Sequence, residues 1–188
     1  MAKDFSGNAA LPIGLRNNNP GNLRPSLIPW VGQTGSNSGF CTFKDCSYGL
    51  RALAVDLSNK ITSDGLDTIT DIINKYAPPS ENDTQAYINA VSDSTGWDPD
   101  QTIDFNSANL ANLMQAIIEH ENGPASSQIT NADIVEGINM IPQSIINRVK
   151  SFFVDNPALA TASTVGVVAI TIVVVLALFK PNSLKLKK

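Results

Sequence analysis

The chain has 188 residues, of which 43% are hydrophobic and 16% charged, and a formal net charge of −4, a length that suits one compact domain with attachments better than two domains. Nine bases and 17 acids precede residue 158, a balance of −8, while Lys180, Lys185, Lys187 and Lys188 close the chain with +4. A body of that sign offers no basic face for general nucleic-acid binding, and its His, Cys, Asp and Glu residues show no metal-ligand spacing.

Residues 1–13 read as an N-terminal arm, without the apolar run of a signal peptide. The stretch "GLRNNNPGNLRPS", Gly14 to Ser26, then gathers asparagines around a Pro-Gly turn signal and suits neither helix nor strand. Loops rich in Asn, Arg and aromatic side chains are what a carbohydrate groove needs, because sugars offer hydroxyls and amides to hydrogen-bond and apolar faces to stack on. Arg16, Asn17, Asn18, Asn19, Asn22, Arg24, Trp30 and Tyr48 form that candidate substrate-binding set. The competing reading is a plain turn, since Asn tolerates left-handed backbone. "GFCTFKD" alternates Phe40, Thr42 and Lys44 with Cys41, Phe43 and Asp45, and is the one stretch predicted as extended, in a small hairpin. Cys41 and Cys46 would bridge that hairpin if exported and stay reduced if the domain remains on the cytoplasmic side.

Four helical patterns follow. Residues 47–61 place Leu50, Leu53, Ala54, Leu57 and Ile61 on one face, and "LDTITDIINKYA" does the same with Ile69, Ile72, Ile73 and Tyr76 before Pro78-Pro79 stops it. "SENDTQAYINAVSDSTG" predicts a third helix ending near Gly96. At its start, Glu81 and Asp83 are candidates for a second carboxylate that orients water or stabilises an oxocarbenium ion; equally, Ser80 and Asp83 have the spacing of a capping box. Tyr87 is a candidate to line the same groove. "NSANLANLMQAIIEHENG" predicts a fourth helix with Gly123 as its C-cap. At 100° per residue, Leu110, Leu113, Met114, Ile117 and Ile118 share a face and Glu121 continues it, whereas Glu119 falls on the polar side. A carboxylate at the end of an apolar stripe is partly desolvated and suited to general acid catalysis; the plainer alternative is that Glu121 frays into water. His120, the one histidine, reads as structural.

Beyond Gly123, "PASSQITNADI" reads as a linker in which Thr130 or Asn131 could cap a short helix through Gly137. "IINRVKSFFV" is amphipathic, either lying on a membrane surface or closing the core. Residues 158–179 carry no charge over 22 positions, enough at 1.5 Å per residue to cross roughly 30 Å of hydrocarbon; a transmembrane helix is expected there.

Together "RNNNPGNLR", "WVGQTG", "GFCTFKDCSYGLRALAVDL", "YAPPSENDTQAYI" and "AIIEHENG" resemble small phage proteins described as virion-associated or structural and connected with peptidoglycan cleavage. The first half also resembles the glucosaminidase branch of the lysozyme-like hydrolases, in which an Asn-Leu-Phe-Gly-Ile-Lys block precedes an aromatic strand pair and a helix. That branch carries its catalytic glutamate on a helix before the block. Here the first glutamate is Glu81, and the matching helix, ending "EHENG", comes after the block. The resemblance therefore implies a circularly permuted core with Glu121 as the acid.

The expected architecture is mainly α: the arm, a lysozyme-like helical domain with a small β-hairpin over 14–125, a linker and juxtamembrane helix over 126–157, one C-terminal transmembrane helix over 158–179 and a basic tail over 180–188. The implied function is a virion-associated peptidoglycan hydrolase, of lysozyme or lytic transglycosylase type, cleaving MurNAc–GlcNAc strands for phage genome delivery. It would need no cofactor and would sit in the virion membrane, and in the host inner membrane during assembly. Peptidoglycan, the lipid bilayer, capsid proteins and, for the tail, packaged DNA are the expected partners. The alternative is a non-enzymatic minor capsid protein that fastens membrane to shell.

Overall fold

The computed structural model describes residues 2–141. The asparagine-rich segment opens with a single helical turn, α1 (Ile13–Arg16), and continues as a loop to the antiparallel hairpin β1 (Gln33–Asn37) and β2 (Phe40–Phe43). Ser38 and Gly39 make its turn, both with positive φ, 51° and 85°, which matches the right-handed twist of paired strands. The pairing runs from Asn37 opposite Phe40 to Gln33 opposite Phe43, with an irregularity between Gln33 and Gly35. β1 is largely exposed, whereas Cys41 and Phe43 of β2 are buried. The outer edge of β2 is covered by the asparagine loop, where Cys41 N donates to Leu23 O at 2.8 Å and Phe43 N to Asn17 O at 3.0 Å.

Four longer helices follow, each begun by a side chain that accepts an otherwise orphaned amide hydrogen. Asp45 caps α2 (Cys46–Thr62), Thr68 caps α3 (Ile69–Tyr76), Asp83 caps α4 (Thr84–Thr95) and Asn106 caps α5 (Ser107–Asn122). Gly96 ends α4 with φ 73°, a left-handed C-cap that glycine adopts without strain. After a 3-10 segment over Gly123–Gln128, Thr130 and Asp133 form a reciprocal capping box that starts α6 (Asn131–Asn139).

The core is built on α2, whose Leu50, Leu53 and Leu57 are essentially inaccessible, together with Ile72 and Ile73 of α3 and Leu113, Ile117 and Ile118 of α5. Two glycines let other segments approach α2. A Cβ on Gly49 would lie 1.9 Å from the carbonyl oxygen of Asn18, and one on Gly137 would lie 2.6 Å from Leu50 Cβ, so the asparagine loop and α6 both rest directly on the helix. The N-terminal arm is tied down as well: Lys3 Nζ pairs with Asp133 Oδ2 at 2.5 Å, and Cys46 N donates to Lys3 O at 2.8 Å. The compact unit reaches Met140, so residues 126–139 pack with it.

The expected fold class is corrected. Only about half of the described residues are helical, and the hairpin and long loops make up much of the rest; the domain is partly helical, not mainly α, because the asparagine segment, the stretch to residue 32 and the loop before α5 satisfy their backbone through side chains and turns. Among the described residues no helix is long and apolar enough to cross a membrane. The stretches read as a juxtamembrane helix, a transmembrane span over 158–179 and a basic tail lie outside the described residues.

Candidate active site

The asparagine run divides by burial. Asn17, Asn18 and Asn19 are 3%, 0% and 0% exposed, and their amides are occupied by backbone and neighbours. Asn19 Nδ2 donates to Leu23 O at 2.9 Å and Cys41 O at 3.0 Å, while its Oδ1 accepts from Leu23 N. Asn18 Oδ1 accepts from Phe5 N, and its Nδ2 donates to Asp4 Oδ1 and Phe43 O; Asn17 Oδ1 accepts from Asn37 Nδ2. These side chains stand in for the ladder bonds that an irregular segment lacks, and the turn reading applies to them. Asn18 and Asn19, candidates for sugar binding, are scaffold. Asn22 differs: with φ at 50° it aims its amide the other way, and Nδ2 donates to Glu121 Oε2 at 2.6 Å.

Glu121 is reached from two further elements. The Tyr87 hydroxyl, from α4, donates to its Oε1 at 2.8 Å. The neighbouring Asn122 is 4% exposed and donates from Nδ2 to Pro20 O at 2.7 Å, so consecutive residues of the last turn of α5 grip the asparagine loop. Tyr76 of α3 donates to Gly21 O and meets the Tyr87 ring edge-on, centroids 6.4 Å apart. Burial pushes both phenols well above the ordinary tyrosine range, and the charge of Glu121 adds to the shift; each therefore remains a neutral hydrogen-bond donor across physiological pH.

A cavity of about 400 Å³ opens beside this carboxylate, lined among others by Asn22, Arg24, Trp30, Phe40, Tyr76, Glu81, Asn82 and Glu121. Arg24 and Glu81 form an ion pair at 2.7 Å, with both side chains about half exposed, and Arg24 also lies 5.7 Å from the Phe40 ring centre. Asp56 and Lys60, paired at 2.7 Å, contribute charges to the same wall. The structure thus brings together Glu121, Glu81, Asn22, Arg24 and Trp30 around the cavity, with Tyr87 directly behind Glu121. It leaves out the other candidates. Asp83 is used as the α4 cap, Tyr48 packs against Gly32 and lies 5.8 Å below Lys44, and Arg16 ends α1. Glu119 faces away, accepting from Gln115 and Ser94.

Tyr76, Phe40, Asp56, Lys60, Lys75, Asn82 and Asn122 were missed by sequence reasoning. Tyr76 carried a signal, a phenol on an otherwise aliphatic stripe, which requires a polar partner for its hydroxyl; the others carried none. Cys41 and Cys46 are free and buried, and burial pushes their thiols up to about 11 and about 12, which makes them unreactive packing residues. Among the described residues no group of three His, Cys, Asp or Glu side chains is placed to hold a metal ion.

These features define a partly helical domain in which Glu121, oriented by an amide and a phenol, shares a mixed polar and aromatic cleft with Glu81 and Asp56. No family model matches the chain. It is 36% identical over 129 residues to protein P5 of Pseudoalteromonas phage PM2, an alignment covering 66% of this chain and 78% of that protein. The chain belongs to the family of that phage protein.

Proposed function

We propose that the chain is a virion-associated glycosidase that cuts peptidoglycan strands between N-acetylmuramic acid and N-acetylglucosamine during genome delivery. The observation that carries this reading is the placement of Glu121 at the cavity wall, with Asn22 on one carboxyl oxygen and Tyr87 on the other. Each oxygen keeps a second lone pair, so a proton on the cavity side can pass to a glycosidic oxygen as the C1–O bond breaks. The resulting carboxylate then takes a proton from the hydroxyl or water that attacks C1. Trp30 and Phe40 supply apolar faces for sugar rings, and Arg24, Asn82 and Lys75 supply hydrogen-bond donors at the rim. Glu81 lies in the same cleft, bound to Arg24, where it would interact with positive charge developing on the sugar. The phage origin of the relative supports placement in a virion.

Zymography with the full chain in gels containing peptidoglycan from several bacterial species tests the reading. A cleared band that disappears in Glu121→Gln is expected. A refolded chain that clears none of the gels would overturn it in favour of a non-enzymatic component of the virion.

A further inference from the structure

The structure assigns to His120 the task of positioning Glu121 through the Tyr87 ring, an inference that rests on reading Glu121 as the acid. His120 and Tyr87 are stacked, with ring centroids 3.6 Å apart and planes within 20°. Tyr87 is 3% exposed, whereas His120 lies on the surface, so the imidazole covers the face of the phenol that would otherwise meet water. Tyr76 closes the ring from another side, edge-on at 80°.

The geometry is unusual because consecutive helical residues project about 100° apart and do not ordinarily share a partner. Tyr87 is long enough for both: His120 grips its face and Glu121 accepts its hydroxyl at 2.8 Å. Backbone, imidazole, phenol and carboxylate form a closed loop, so swinging the phenol away breaks the stack and the hydrogen bond together. A stacked aromatic pair of this kind contributes attraction beyond the apolar area it buries. His120 does not line the cavity beside Glu121, and its effect on chemistry passes through Tyr87.

The test uses the full chain labelled with ¹³C at the tyrosine Cζ, which reports on Tyr48, Tyr76 and Tyr87, together with cleavage rates on peptidoglycan. In His120→Ala the Tyr87 phenol should titrate at lower pH than in the native chain, because water reaches its ring, while the other two signals stay in place. The value of kcat should fall about fivefold, as expected for loss of one stacked pair, with KM unchanged. His120→Phe, which keeps a flat ring without the nitrogens, should restore both. An unmoved Tyr87 signal in His120→Ala, or a His120→Phe variant that behaves like His120→Ala, would overturn the assignment. If the native chain releases no glycan fragments, the glycosidase reading fails, and the tyrosine signals still decide whether His120 holds Tyr87.

Discussion

At the residue scale, the four asparagines around the Pro-Gly turn, Asn17, Asn18, Asn19 and Asn22, do different things although their side chains are identical. Asn19 spends three hydrogen bonds on holding the loop against β2, and Asn22 spends one on Glu121. Asn19→Ala should therefore destabilise the fold by about 2 kcal/mol or more, since it strands buried backbone groups, a loss read by urea denaturation. Asn22→Ala should cost less, about 1 kcal/mol for alanine at a left-handed position, and lower cleavage. Glu121→Gln should reduce cleavage by about two orders of magnitude, the range of general acid catalysis, while Glu119→Gln, bound to Gln115 and Ser94 on the outer face, should cleave at the native rate. A dead Glu119→Gln with an active Glu121→Gln would reverse the assignment.

Asp4 gives a pH prediction at the same scale. Hydrogen bonds from Asn18 and Ser6 hold its carboxyl down to about 2 from the usual 3.8. A depressed carboxyl stabilises the folded arm above the usual value, and that contribution is lost as pH falls through the lowered one. The side-chain amide signal of Asn18, which donates to Asp4 at 2.8 Å, should stay constant down to about pH 4 and shift as pH approaches about 2. In Asp4→Ala no such acid transition should remain.

At the element scale, helices were the most legible part of the chain. The stripe Leu50, Leu53, Leu57 and Ile61 predicted 47–61, and α2 runs over Cys46–Thr62; Gly96 and Gly123 end α4 and α5 where expected. Periodicity and caps are local properties, readable within one or two turns. The single turn α1 carried no periodic signal because four residues contain barely one repeat. Helix contacts were less legible: that Gly49 must be glycine follows only from the Asn18 carbonyl 1.9 Å from its would-be Cβ. Gly49→Ala should cost about 3 kcal/mol, at the upper end for overpacking, measured by denaturant unfolding, whereas Thr130→Ala, which removes one exposed helix cap, should cost about 1 kcal/mol.

At the scale of the whole molecule, the cleft joins residues from distant parts of the chain, and its integrity depends on global folding. The buried thiols report on that: Cys41 and Cys46 are 0% and 2% exposed, one in strand β2 of the hairpin and one at the start of α2. A thiol reagent at neutral pH should label neither in the native chain and both over the same denaturant range that unfolds the helices. Labelling of Cys41 alone before the helical transition would show that the hairpin and asparagine loop open separately from the helical core.

By itself the sequence determined the positions of the longer helices and the hairpin strand at Phe40–Phe43, because each depends on residues a few positions apart; it put Glu121 on the apolar stripe and Glu119 on the polar face but left open whether Glu121 frays into water. Only the tertiary structure decided what the asparagines do. Asn22 and Glu121 are 99 positions apart and Tyr87 and Glu121 are 34 apart, and nothing in local spacing records such a meeting. The same holds for Asn18, whose burial is imposed by α2, by β2 and by Asp4 of the arm. A polar side chain becomes scaffold or site according to whether the surrounding backbone claims its hydrogen bonds, and that is settled only when the elements pack.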